Sequence, residues 1–153
     1  MAMTVEQLRA QLSVIEPSEM MYDHIGPDEV PALEQLTRDP EPWMAARAVH
    51  ALSRVKDRPA LAILSGLTSD PRQEVRVALA SITSRLAPAD AGPMLVKLLS
   101  DGDVGVRKFA VRAVSQAHDA TVKVKLGSMA AGEAVPQLRQ LAAQKLRDVG
   151  GVP

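Results

Sequence analysis

Apolar residues recur along this chain with helical spacing. Val5, Leu8, Leu12 and Ile15 follow one another at three, four and three positions, which is one face of an amphipathic helix. Thr4 and Gln7 frame its start as a capping box, with a hydroxyl at the N-cap and an amide three residues on. Pro17 closes the stretch, because the residue before a proline is pushed out of the helical region. Farther along, three segments open on aspartates 31 residues apart, Asp39, Asp70 and Asp101, and a fourth opens one residue late at Glu133. Five residues after each start stands Met44, Val75, Val106 or Leu138, and nine after stands Ala48, Leu79, Ala110 or Ala142. Twelve after stands Ala51, Ile82 or Ala113, with Lys145 breaking the stripe in the last segment. These offsets keep to one helix face, and the small residues on it let two helices approach closely. The period-two alternation of a strand is missing.

Between these segments the pattern predicts shorter helices over 30–38, 59–68, 93–100 and 120–131. Their core stripes are Val30/Leu33/Leu36, Ala60/Leu64/Leu67, Leu95/Leu98/Leu99 and Val122/Leu126/Met129. Pro31, Pro59 and Pro93 stand near three of the starts, where a missing N–H costs nothing. Pro88, Gly92 and Pro93 read as an inter-helix turn, and Asp39, Asp70 and Asp101 as helix N-caps. A last helix is expected over 135–149. Residues 16–27 are the least repetitive. There Ser18 can cap a short helix carrying Met20, Met21 and Tyr22, which either covers the first repeat or leaves an exposed patch.

Self-similarity at a fixed period is the mark of a repeat array, in which each unit buries its apolar face against its neighbours. The D-P start and the run Val106-Arg107-Lys108-Phe109-Ala110-Val111-Arg112-Ala113-Val114 resemble the HEAT repeat over roughly residues 28–149. The unit is short for that family and is similar to the short bacterial HEAT-like repeats of the phycobilisome-lyase type. The resemblance implies an all-α, right-handed α-solenoid of about four helix pairs with an N-terminal capping helix. The chain is then a single domain, with a cap at 4–27, repeats at 28–149 and a tail at 150–153. The resemblance also implies that the acid/arginine pairs six residues apart, Asp70/Arg76, Asp101/Arg107 and Glu133/Arg139, form a structural ladder between neighbouring units.

Composition narrows the function. At 46% hydrophobic but only 2% aromatic, the core must be Ala, Leu, Val and Met, which suits closely stacked helices. With no cysteine, disulfides, thiol catalysis and cysteine-bound zinc are excluded. His24, His50 and His118 are isolated, with no H-E-x-x-H and no His-Glu dipeptide of the kind HEAT-like di-iron hydroxylases use, so no metal and no cofactor is expected. Nucleophile-elbow, P-loop and dinucleotide motifs are missing too, and no catalytic residue is assigned. No apolar run approaches a membrane span and no basic-then-apolar leader opens the chain, so a cytoplasmic protein without a membrane partner is expected.

Net charge is zero but unevenly spread: residues 1–38 hold seven acidic and two basic side chains, and residues 39–153 hold eleven acidic and sixteen basic. This asymmetry suits a solvated acidic cap first, and secondly head-to-tail self-association or docking of an acidic partner on the later repeats. The inner helices would present Glu34, Arg58, Lys97, Lys123 and Lys125 on a shallow concave face. Trp43 stands where the other repeats have Glu74 and Gly105, so with Met20, Met21 and Tyr22 it forms a second candidate surface. A non-enzymatic scaffold that binds another protein is the expected function. The resemblance also offers a phycobilisome-lyase-like enzyme or enzyme accessory. HEAT-like nucleic-acid binding is the third reading, and one Trp, one Tyr and one Phe argue against base stacking.

Overall fold

A computed structural model describes residues 1–150. Among the described residues all regular structure is helical: α1 (Val5–Leu12), α2 (Val30–Leu36), α3 (Pro42–Val55), α4 (Arg58–Gly66), α5 (Gln73–Ile82), α6 (Pro88–Leu98), α7 (Val104–Ala113), α8 (Ala120–Gly132) and α9 (Pro136–Asp148). Short 3-10 turns cover Glu19–Tyr22, Pro27–Glu29, Leu67–Ser69 and Thr83–Arg85. The chain divides into two compact units, Met1–Leu79 and Ala80–Pro153. The expected tail at 150–153 lies, from Gly151 on, outside the described residues.

In the first unit α1 packs on α2 and α3, α2 on α3 and α4, and α3 on α4. Leu8, Leu12, Leu33, Leu36, Met44, Leu52 and Leu64 are fully buried between them, and each such side chain stabilises the fold by about 1.5–3 kcal/mol. In the second unit α6 packs on α7 and α8, α7 on α9, and α8 on α9. Leu95, Leu98, Leu99, Val106, Leu126 and Ala142 fill that core. Every expected residue of the five, nine and twelve stripe is buried, and Lys145 instead donates to the Arg112 carbonyl at 3.0 Å. Leu67 is the one member of the shorter stripes left half-buried.

The repeated acids do not act as N-caps. Each closes a turn two residues ahead: the N–H of Glu41 donates to Asp39 at 3.0 Å, of Arg72 to Asp70 at 2.9 Å, of Asp103 to Asp101 at 2.9 Å and of Val135 to Glu133 at 3.0 Å. The helix begins three residues after each acid, at Pro42, Gln73, Val104 and Pro136. A carboxylate that folds onto its own following backbone fixes where the chain turns into the helix, and the N-cap position falls two residues later, without a side-chain cap in α3 and α9. In α7 that position is held by Asp103, which accepts from the Val106 N–H.

Two expected boundaries move. Helix α6 starts at Pro88 and carries Pro93 in its interior. The exposed ring projects to the open side, and the helix accepts the loss of one backbone bond there. Helix α1 stops at Leu12, so Ile15 is 94% exposed instead of continuing the stripe. The reason lies in α3: the Arg47 guanidinium donates to the Leu12 and Val14 carbonyls and closes the helix end.

Candidate interaction surfaces

The least repetitive segment lies against α3 in the first unit. The Gln11 amide donates to the Met21 and Asp23 carbonyls at 2.9 and 2.7 Å, which pins the 3-10 turn to α1. Arg54 stacks over the Tyr22 ring, 4.5 Å from its centroid, and pairs with Glu19. Arg47 lies 5.3 Å from the centroid of the Trp43 ring while holding the end of α1. Trp43, Arg47, His50 and Arg54 therefore form a line spaced by four, three and four residues along α3, with no acidic side chain on that helix.

Between this line and the 3-10 turn runs an open groove of about 400 Å³, lined by Pro17, Met21, Tyr22, Trp43, Ala46, Arg47 and His50. Met21 is buried at its base, Tyr22 is half-buried, and Trp43 remains 46% exposed. Around it Val14, Ile15 and Met20 are exposed, Met20 by 74%. The segment shares the groove with Trp43 through Met21 and Tyr22, while Trp43 and Met20 remain exposed. In the second unit Glu74's counterpart Gly105 is half-buried and carries no side chain.

The five residues expected on one concave face fall on different units. Glu34 and Arg58 belong to the first, where Glu34 is half-buried 3.8 Å from Arg38 and Arg58 is exposed. Lys97, Lys123 and Lys125 belong to the second, on α6 and α8. Lys97 is exposed, Lys125 is half-buried, and Lys123 donates to the Gln116 carbonyl at 3.0 Å. Beside Lys97 lies a groove of about 380 Å³, lined by Gly92, Pro93, Val96, Lys97, Asp119 and Thr121.

The acid/arginine pairs close on backbone within their own repeat. Nη1 of Arg76, Arg107 and Arg139 donates to the carbonyl of Asp70, Asp101 and Glu133 at 2.8, 2.9 and 3.0 Å. Arg107 also reaches forward to the Glu133 carboxylate, Nε to Oε1 at 2.7 Å, and this hydrogen bond holds the Glu133 carboxyl below its ordinary range. The first unit uses other arginines, which sequence reasoning missed. Arg9 of α1 pairs with Asp39 at 3.0 Å and depresses that carboxyl by the same kind of bond. Arg72 binds the Asp70 carboxylate and the carbonyls of Asp39 and Thr37 at 2.7 and 2.6 Å. For Asp70 burial acts to raise the carboxyl, but the hydrogen bonds and charge of Arg72 outweigh it and the net displacement is downward. No short spacing marks Arg9 or Arg47, whose partners lie 30 or more residues away, and Arg72 reaches as far back to Asp39 and Thr37 while pairing with Asp70 two residues before it.

His118 is buried, and its Nδ1 accepts the Ser115 N–H at 2.8 Å, so the ring is neutral with its proton on Nε2; burial pushes its titration down. Among the described residues no group of three His, Asp or Glu side chains gathers as a metal site, and no helix is long and apolar enough to cross a membrane.

The sequence profile of a family described as HEAT repeats matches residues 20–83 and 62–147. No curated protein matches the sequence significantly. Among solved structures, the chain is similar to one in the complex of CpcE and CpcF of phycocyanin lyase from Nostoc sp. PCC7120. The TM-score is 0.70 at 19% identity, over 92% of this chain and 96% of that one. It is also similar to a designed armadillo repeat protein in complex with the peptide (KR)4, at a TM-score of 0.57 and 19% identity, over 95% of this chain and 81% of that one. Likeness at such identity shows the all-α repeat fold and leaves chemistry to the residues.

Proposed function

We propose a function from one premise: the chain belongs to the HEAT-repeat family. It is a non-enzymatic interaction module, and it holds another protein through the groove beside Trp43. The observation that carries this reading is the half-exposed Trp43 ring in a groove of about 400 Å³ that it shares with Met21 and Tyr22. Tryptophan and methionine are enriched where proteins meet, and a rigid aromatic anchor dominates such contacts. The hydrogen bonds of Arg47, Arg54 and Gln11 set the groove's walls in advance, which lowers the ordering cost of binding. The two solved structures named above are complexes, one of CpcE with CpcF and one with a peptide, which supports a protein as the partner.

The test is capture from a native cell extract with the wild-type chain and the Trp43→Ala variant, each first checked for the same thermal unfolding. A protein retained by the wild type and lost by the variant supports the reading. The same proteins retained by both removes the groove from the proposal.

The likeness to a chain of the phycocyanin lyase complex, over nearly the whole of both chains, motivates a second reading as a lyase-like enzyme or enzyme accessory. Co-expression with a bilin and its acceptor subunit separates the two. A coloured adduct that depends on this chain replaces the non-enzymatic reading.

A further inference from the structure

The second unit has a surface whose chemistry differs from that of the Trp43 groove. Six acidic side chains lie in residues 80–153, against ten basic ones. The acids are occupied. Asp103 caps α7, Asp119 caps α8 through the Thr121 and Val122 N–H groups, and Glu133 binds Arg107 and the Val135 N–H. Asp101 closes the turn at Asp103, Asp148 accepts from the Gln144 amide, and Asp90 is also engaged. Among the described residues, Lys97, Lys108 and Lys125 stand outside the ion pairs. With ten basic side chains against six acidic ones, the unit carries net positive charge.

One part of this surface is also grooved and apolar. Gly92, Pro93, Val96 and Lys97 form a continuous strip along α6, facing Asp119 and Thr121 at the start of α8. A Cβ on Gly92 would stand 3.8 Å from the Val122 side chain, so the two helices meet closely at the base of the groove. Lys125 lies one helical turn beyond Thr121 on the same face of α8. Asp119 is the acid in the lining, and it accepts the Thr121 and Val122 N–H groups, where the positive end of the α8 dipole offsets part of its charge.

From this juxtaposition we infer that the α6–α8 groove binds an acidic peptide segment of a partner protein. An apolar side chain of the segment sits against Pro93 and Val96, and flanking carboxylates pair with Lys97 and Lys125. The inference rests on the reading of the chain as an interaction module but uses a surface separate from Trp43. Nucleic acid fits less well, because Phe109 is the only aromatic residue of the unit and its ring is stacked under Arg112.

The test is fluorescence anisotropy of the full chain with three labelled probes: a synthetic Glu/Asp peptide with one central leucine, its Lys/Arg counterpart, and a single-stranded oligonucleotide. The acidic peptide should bind saturably, more weakly as salt rises, and more weakly again when its leucine is replaced by glycine. The double variant Lys97→Glu, Lys125→Glu should weaken binding about tenfold or more, the size expected for reversing two rim charges. Lys108→Glu, which changes net charge on α7, should leave affinity nearly unchanged, and so should Trp43→Ala. Circular dichroism confirms that each variant is folded. No saturable binding, tighter binding of the oligonucleotide, or an equal loss with Lys108→Glu would overturn the inference. So would a concentration-dependent mass above 16.4 kDa that the acidic peptide does not displace, which assigns the surface to a second copy. None of these outcomes bears on capture through Trp43.

Discussion

Arg107 joins one repeat to the next through Glu133: Nε and Nη2 donate to the two carboxylate oxygens at 2.7 and 3.3 Å, with side chains 17% and 6% exposed. The fork geometry matters because both oxygens are engaged while Oε2 also accepts the Val135 N–H. Arg107→Ala should destabilise the chain by about 2–3 kcal/mol, since a nearly buried carboxylate loses its charged donor. Arg107→Lys should recover only part of that, because a single ammonium cannot replace the fork. Urea unfolding of the three proteins decides it; a Lys variant as stable as wild type contradicts the bidentate account.

Arg72 has the same role in the first unit, with its guanidinium shared between Asp70 and the carbonyls of Thr37 and Asp39. Arg72→Met keeps the aliphatic stem and deletes the donors. It should cost about 2 kcal/mol, as expected for charged hydrogen bonds that leave partly buried acceptors unpaired. Unfolding of this variant at wild-type denaturant concentration would show that water replaces the guanidinium without cost.

Stability should fall with acid in two windows. His118 titrates below its ordinary value of about 6.5 because burial disfavours the charged ring, so stability is complete above that value and declines as pH drops through the folded-state value. Asp39, Asp70 and Glu133 are also depressed, so their contribution persists above about pH 4 and is lost as pH falls through their lower folded values. Thermal melts from pH 8 to 2 should show both declines, and His118→Gln should flatten only the upper one. A profile flat between pH 7 and 5 in the wild type counts against the histidine's part.

Trp43 is the only tryptophan, so its fluorescence reports the groove alone. At 46% exposure its emission should be red-shifted and open to acrylamide. Trp43→Ala should cost only about 1 kcal/mol, because half of the ring's apolar area is already in water. Blue emission shielded from acrylamide in the free chain would mean that the groove is closed.

Much of this fold could be read in the sequence, and the reasons are local. Met44, Val75, Val106 and Leu138 are buried because a helix face must go somewhere, and a 31-residue period says against what. Thr4 and Gln7 form their capping box as expected. The helix entries were off by two residues at Asp39, Asp70 and Asp101, since a turn-closing aspartate and an N-cap aspartate look alike without coordinates. Pro93 misled in the same way, as a proline that starts a helix and one tolerated inside it share a spelling. The wall of the groove was half legible: Trp43 occupies a slot filled by Glu74 and Gly105 elsewhere, but Arg47 and Arg54 gave no signal because their partners are distant in sequence.

Site-specific photo-crosslinking in the cells that produce this chain tests the central claim most directly. A photoreactive residue at Met20, beside the groove, should give one discrete protein adduct that disappears when Trp43 is changed to alanine. The same residue at exposed Ser69, after α4, should give none. Equal adducts from both positions, or a Met20 adduct indifferent to Trp43, would contradict a module that grips its partner there.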